Sequence, residues 1–336
     1  MGKRVTLDHV AKSAGLSPAA VSRYLNGQLV LPPETGRRID RAVKELGYRP
    51  DHRARSLSRG RSDAIGLVIP EIDNPFFSRL AASVERAADA RGLGVMLCST
   101  FNKLGRELRY VEMLGIGIVD GLLFATNHHD ADGSLARAIN DAARIVLVDE
   151  DVSGANVSKI FSDNHQGGYL AGRHIIEAGH RRLAYIGGPP DLMSAKERAA
   201  GLHHAVLDSG TDAYIAAEYF GAYAADYGVE AITALLSGPG RPTAIFVASD
   251  QILIGILRVL TARGIVIGRD VSIVTFDDAN TLEFLAVPVT AIRQSIDLMG
   301  ARALDLVVAA VGGAHEQIVE RVPVELIVRE SVRRLA

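Results

Sequence analysis

"VTLDHVAKSAGLSPAAVSRYLNG", residues 5–27, carries two short helical patterns joined at a glycine. Leu7, Val10, Ala11 and Ala14 recur at helical spacing behind Thr6, a suitable N-cap. Gly15 supplies the turn, with Leu16 tucked under it. Ser17 caps the second helix, Pro18 suits its first position and Gly27 ends it. Val21 and Leu25, four apart, face the first helix, and a third helix over 33–46 adds Ile39, Val43 and Leu46 to a small core. Two helices joined by a short glycine-containing turn form a helix-turn-helix. An ordinary helical hairpin shares the same periodicity, so the charge of the segment has to decide between them.

The charge is lopsided. The chain of 336 residues has a net charge of −2, yet residues 1–61 hold 13 Lys and Arg against 5 Asp and Glu, a net of +8. The remainder then holds 24 basic and 34 acidic residues, a net of −10. A basic head on an acidic body points to a nucleic-acid-binding module joined to something else. Next to the head, "YRPDHRARSLSRGRSD" (48–63) breaks the third helix at Pro50 and sets Leu57 alone among Arg53, Arg55, Arg59 and Arg61. Its composition fits a solvated basic linker. It fits equally a segment that folds on DNA and pushes Leu57 between base steps in the minor groove.

From residue 64 onward, apolar runs alternate with helical stretches. "AIGLVIP", "GVMLCS", "DGLLFA" and "RIVLVD" form one series. After Ser158 the rhythm restarts with "KIFSD", then "RLAYIGG", "AAEYF", "TAIFVAS" and "VSIVTFDD". Continuous apolar strands between helices imply parallel sheets covered on both faces, an α/β body of two doubly wound subdomains. Ligands in such sheets bind beyond the carboxyl ends of the strands, and two facing sheets make a cleft.

Several polar and aromatic residues fall at those ends. Asn74 and Phe77 follow the first strand, with Phe76 equally suited to the core. Asp149 ends "RIVLVD", Arg198 opens a helix, Asp250 follows "IFVA" and Asp277 follows "IVTF". Each aspartate taken singly also fits a cap or a structural hydrogen bond. Together, an arginine and carboxylates grip adjacent hydroxyls while an aromatic face covers a ring, which suits a sugar or sugar derivative.

In combination, "VTLDHVAKSAGLSPAAVSRYLNG", "ELGYRP" and "ARSL" resemble the head and hinge of the lactose-repressor (LacI/GalR) family of bacterial transcription regulators. The likeness runs from Val5 to about Val332, and the body resembles the periplasmic sugar-binding proteins. The resemblance implies a head at 1–49, a hinge at 50–62 and an effector-binding and dimerisation body at 63–336. It implies subdomain 1 at about 63–159 and 292–320, and subdomain 2 at about 160–291 and 321–332. The second helix would enter the major groove, with Leu57 wedging a central step of a near-palindromic operator.

Members of the family often carry polar or aromatic side chains where this chain has Pro18 and Ala19. Those small apolar groups contact thymine methyls but form no bidentate hydrogen bond, which leaves Arg23 to read guanine. Ser17 and Ser22 suit phosphates. Thr6, Asn26, Arg53 and Arg55 complete the expected DNA-facing set. By the same resemblance Arg198 and Asp250 are the main effector contacts and Tyr223 lays a ring against the ligand. Ser249 stands where relatives often have Asn, which puts that neighbouring contact in doubt.

Other classes fit less well. The chain has no H-E-x-x-H, G-x-S-x-G or G-x-x-x-x-G-K-[ST] motif, so an enzyme is not expected. "NHHDADG" (127–133) lacks calcium-loop spacing and reads as a solvated loop, so neither a metal nor another cofactor is expected. The opening residues lack an apolar signal core and no run approaches about 18 apolar residues, so a cytoplasmic protein with no membrane partner is expected. One cysteine, Cys98, suits a reducing compartment.

The expectation is therefore a ligand-responsive repressor. It would act as a homodimer, joined through first-subdomain faces such as Leu80 and Val84 and lacking a heptad tail for a tetramer. A purine-type effector, or a regulator with no small-molecule effector, is the alternative.

Overall fold

The computed structural model describes residues 5–27, 29–48 and 61–335. It divides into two compact units, Met1–Asp63 and Ala64–Ala336. The first holds α1 (Leu7–Ala14), α2 (Pro18–Leu25) and α3 (Pro33–Leu46). Gly15 ends α1 at φ +66°, a left-handed conformation that glycine adopts at no steric cost, so the chain turns at once into α2. The Arg38 guanidinium of α3 donates to the Ala14 carbonyl left open by that turn. Val10, Ala11, Ala14, Val21, Ile39 and Ala42 close the three-helix core.

The second unit has two lobes, each built on a six-stranded sheet. The first lobe runs β1 (Ala64–Ile69), α4 (Pro75–Asp89), β2 (Gly94–Ser99), α5 (Leu104–Gly115), β3 (Gly121–Phe124), α6 (Ser134–Ala142), β4 (Ile145–Val148) and β5 (Ser158–Ser162). The second runs α7 (Asn164–Glu177), β6 (Arg182–Gly187), α8 (Met193–Asp208), β7 (Tyr214–Phe220), α9 (Ala225–Ser237), β8 (Ala244–Val247), α10 (Asp250–Ala262), β9 (Ser272–Phe276), a 3-10 turn (Asn280–Phe284) and β10 (Thr290–Gln294). The chain returns to the first lobe with α11 (Ile296–Val311) and β11 (Val319–Val322), then to the second with β12 (Val324–Ile327).

Strand orders are β11-β5-β4-β3-β1-β2 and β12-β10-β9-β8-β6-β7. Pairings are parallel except for β12, which runs antiparallel to β10. The β1, β3 and β4 strands of the first sheet and β8 and β9 of the second are almost wholly buried, as helices on both faces require.

Three expectations need correction. "KIFSD" is not the first strand of the second series: it is β5, paired in parallel with β4 and β11 in the first sheet. The crossings between lobes consequently follow Ser162, Gln294 and Val322, a few residues later than the boundaries near 159–160, 291–292 and 320–321. The strand-and-helix rhythm marks elements, and only pairing decides their sheet. Leu80 and Val84 do not face a second subunit either. Both are fully buried in their own lobe, packed with Met299, Ala303 and Val307 of α11, an element more than 200 residues away in sequence.

Candidate functional site

Two surfaces carry the expected chemistry, one in each unit. In the head, Ser17 Oγ accepts from the Ala20 N–H at 3.2 Å and so caps α2. Pro18, Ala19, Ser22, Arg23 and Asn26 then fall on one helical face, opposite buried Val21. Pro18, Ala19 and Arg23 are exposed, while Ser22 and Asn26 are half-buried, the Asn26 amide reaching Ser22 Oγ at 3.5 Å. Thr6 is exposed at the start of α1, where its N–H donates to His9 Nδ1 at 3.1 Å. The hinge residues Arg53, Arg55 and Leu57 lie outside the described residues.

In the body, the carboxyl ends of both sheets face one narrow cavity of about 40 Å³, far below the roughly 300–1,000 Å³ of small-molecule pockets. Asn74, Phe77, Asp149, Arg198, Tyr223, Asp250 and Asp277 all line it. Each is delivered by the local structure. Asn74 Oδ1 caps α4 through the Phe76 N–H at 2.9 Å, which leaves its amide nitrogen for the cavity. Phe76 and Phe77 meet edge to face with ring centres 5.1 Å apart, and both belong to the core and to the cavity wall. Ser249 Oγ caps α10 at the Ile252 N–H, and Asp250 occupies the first turn.

Asp149 and Asp277 have φ of +72° and +71°, left-handed conformations rare for residues with a side chain. Such strain persists only where surrounding structure enforces it, and here it turns both strand-ending carboxylates into the cavity.

Arg198 organises the centre. It is 4% exposed, donates from Nε to Asn164 Oδ1 at 2.8 Å and from Nη1 to the Ala248 carbonyl at 2.7 Å. Its guanidinium lies 3.7 Å from the centre of the Phe276 ring and 4.0 Å from Asp277. Three carboxylates thus surround one guanidinium. Burial pushes the Asp149 and Asp250 carboxyls up to about 7, with Arg198 pulling both down. Asp277 is also raised by burial, against Arg198 and its bond from Gln294. Burial lifts the Tyr223 hydroxyl to about 12, so it stays a donor at neutral pH. The set offers many acceptors, a few donors and flat apolar walls.

The sequence reading missed several groups. Asn127, Ser194, Gln251 and Gln294 also line the cavity. Gln294 accepts from Ser162 Oγ and donates to Asp277, joining β5 of one lobe to the site through a crossing strand. Glu150 has the largest structural consequence. Only 1% exposed, it reaches from the end of β4 to the start of α8 in the other lobe, accepting from the Met193 N–H at 2.7 Å, the Ser194 N–H at 3.2 Å and Ser194 Oγ at 2.6 Å. Ser194 Oγ also lies 3.2 Å from the Tyr223 hydroxyl.

A second link across the lobes joins Glu197 of α8 to Arg321 of β11 at 2.7 and 2.5 Å. Glu197 is therefore engaged by an arginine, and its place beside Arg198 reflects that bridge. The one signal for Glu150 was a second acid directly after the buried run "RIVLVD"; its partners 43 and 44 residues away left none.

The "NHHDADG" loop acts as a cap: Asp130 accepts from the Leu135 and Ala136 N–H groups at 3.1 and 2.8 Å, and Asp132 from that of Ser134 at 2.9 Å. Among the described residues no group of three His, Cys, Asp or Glu is placed to hold a metal ion. No described helix is long and apolar enough to cross a membrane.

Residues 6–51 match the family described as bacterial regulatory proteins, lacI family, and residues 173–332 match the periplasmic binding protein-like domain. The chain is 29% identical to the HTH-type transcriptional repressor PurR of Mannheimia succiniciproducens, over 98% of this chain and 99% of that one. It is 34% identical to the HTH-type transcriptional regulator CelR of Thermobifida fusca, over 98% of both. A solved CelR–cellobiose complex matches with TM-score 0.73 and 33% identity, covering 98% of this chain and all of that one. The lac repressor dimer bound to operator and the anti-inducer ONPF matches with TM-score 0.87 and 27% identity, again over 98% of this chain and 100% of the other. These relatives are transcription regulators, not enzymes.

Proposed function

Because the chain belongs to the lacI family of bacterial regulatory proteins, we propose that it is a cytoplasmic repressor that binds a near-palindromic operator as a dimer and is switched by a small sugar in the cleft. One observation carries the effector half of this reading: side chains from both sheets converge on a single small cavity rich in acceptors and walled by aromatic rings. Asp149, Asp250 and Asp277 accept from sugar hydroxyls, Arg198 and Asn74 donate, and Phe77 and Tyr223 cover the ring. The CelR–cellobiose complex supports a carbohydrate in this fold.

In the head, Arg23 is the base-reading side chain, with Pro18 and Ala19 against thymine methyls and Thr6, Ser17, Ser22 and Asn26 near the backbone. Arg53, Arg55 and Leu57 serve the minor groove beside it. Two heads on a two-fold operator double the phosphate contacts, so affinity falls steeply with salt. With Leu80 and Val84 buried, the edge strand β2 is a better dimer face, since Met96 and Leu97 are each 39% exposed and Phe101 beyond it is 54% exposed. The effector acts by favouring one angle between the lobes, and its leverage equals its difference in affinity for the two angles.

The test is selection of duplexes from a random pool by the full chain, followed by anisotropy with the selected duplex in the presence of single carbohydrates. A two-fold-symmetric site whose affinity changes with one carbohydrate is the expected result. An asymmetric or absent preference would overturn the operator reading, and a symmetric site unmoved by every carbohydrate would overturn the sugar reading.

A further inference from the structure

The inner cavity of about 40 Å³ has room for water alone, so a small molecule enters only when its walls separate, and those walls belong to two lobes. The lobes are tied there through one helix. Glu150 grips the first turn of α8 at the Met193 and Ser194 N–H groups. One turn further on, Glu197 is bound by Arg321 of β11 at 2.7 and 2.5 Å. Arg198, at the centre of the cavity, is the next residue of that helix.

The two ties differ in kind. Glu150 is 1% exposed and its partners across the cleft are neutral. The Glu197 and Arg321 side chains are 22% and 40% exposed and oppositely charged, so salt screens this tie and spares the other. Arg321 also has an alternative set of partners. It pairs with Phe161 of β5, and its guanidinium lies 5.9 Å from the centre of that ring. The charges that strengthen its hold on its proton are Glu197 foremost, then Asp163 and Asp151. Asp151 follows β4 and binds Lys159 at 2.6 Å, while Asp163 caps α7 just past the first crossing between the lobes. Released by Glu197, the guanidinium keeps two carboxylates beside the crossing strands, so neither arrangement strands its charge.

We propose that the Glu197–Arg321 pair is a latch: made, it holds α8 against the first lobe and keeps the cavity narrow; broken, it lets the lobes part. This rests on the effector reading above and deepens it, by naming a control on access to the same site. Two discrete pairings of one arginine supply the two-state element that a switch requires. An ion pair of this exposure biases such an equilibrium by up to about fivefold, enough to favour one state and weak enough to release it.

Hydrogen–deuterium exchange of the full chain, read by mass spectrometry in the peptide spanning 192–198, tests the latch. The Met193 and Ser194 amides at the start of α8 have no partner within the helix, so their protection reports the contact across the cleft. Arg321→Ala and Glu197→Gln should each speed exchange there about fivefold at low salt, with β3 and β8 exchanging as in wild type. The double variant should exchange no faster than either single one, since both remove the same interaction. Arg321→Lys, which keeps the charge without the planar fork, should fall between. Salt at 1 M should bring the wild type close to the variants and leave the variants unchanged.

Wild-type exchange in both single variants would overturn the latch, and so would effects that add in the double variant. Faster exchange throughout both sheets would overturn it too, since that is general loss of stability rather than parting of the lobes. The measurement uses no effector, so a result against the latch leaves the effector reading standing, and failure of that reading leaves the latch measurable.

Discussion

Replacing Glu150 by alanine measures what the link between the lobes contributes. Its carboxylate accepts four hydrogen bonds, three from Met193 and Ser194 across the cleft and one from the Asp151 N–H at 3.1 Å. The crossing bonds land at the start of α8, whose N-cap position, Leu192, has no side-chain oxygen to offer. Glu150 thus caps the helix that carries Arg198. Loss of a cap costs about 1 kcal/mol. Stranding the Ser194 hydroxyl and a backbone N–H adds about 2–3 kcal/mol. Part of this is offset, because burial raises the Glu150 carboxyl above its usual range and alanine relieves that desolvation.

A net loss of about 2–3 kcal/mol lowers the melting midpoint by roughly 5–10 °C for a unit of this size. Scanning calorimetry of the ligand-free full chain, with wild type beside Glu150→Ala and Glu150→Gln, checks this. The glutamine keeps one acceptor and should fall between the other two. A shift below about 2 °C for the alanine variant would refute the reasoning, since it would mean that desolvation cancels the bonds.

Other perturbations have equally definite outcomes. Asp149 and Asp250 titrate near 7 in the folded state because they are buried, against 3.8 when exposed, so the native chain holds protons that the unfolded chain has released between those values. Stability should decline as pH rises from about 4 to about 7, and Asp149→Asn should flatten that decline in melts recorded across the window; an unaltered slope would remove Asp149 from the account. Arg23→Ala should cost about 1–3 kcal/mol of discrimination between operator and mismatched duplexes, read by anisotropy, with melting unchanged. At Gly168 an added methyl would sit 2.1 Å from the Arg198 carbonyl oxygen, so Gly168→Ala should push α7 from α8. The expected cost is about 1–3 kcal/mol in melting, with weaker effector binding in calorimetry.

The sequence by itself determined the local elements and the chemistry at their ends. Helical spacing at Leu7, Val10 and Ala14, with Gly15 after them, is enough to specify α1 and its turn, because capping and amphipathicity involve neighbours within a few residues. Alternation of apolar strands with helices was likewise enough for two parallel sheets, and the rule that ligands bind beyond strand ends brought Asp149, Asp250 and Asp277 into view together.

What only the tertiary structure decided is pairing over long separations. Nothing local distinguishes β5 as the last strand of one lobe from the first strand of the next; its hydrogen bonds to β4 and β11 do. Leu80 and Val84 show an apolar face without showing what covers it, and the cover is α11, which returns from the far end of the chain. The bonds of Glu150 to Ser194 and of Glu197 to Arg321 unite acids with partners 44 and 124 residues away. Periodicity extends over a turn or two of chain, whereas these contacts exist only after both lobes have folded and met across the cleft.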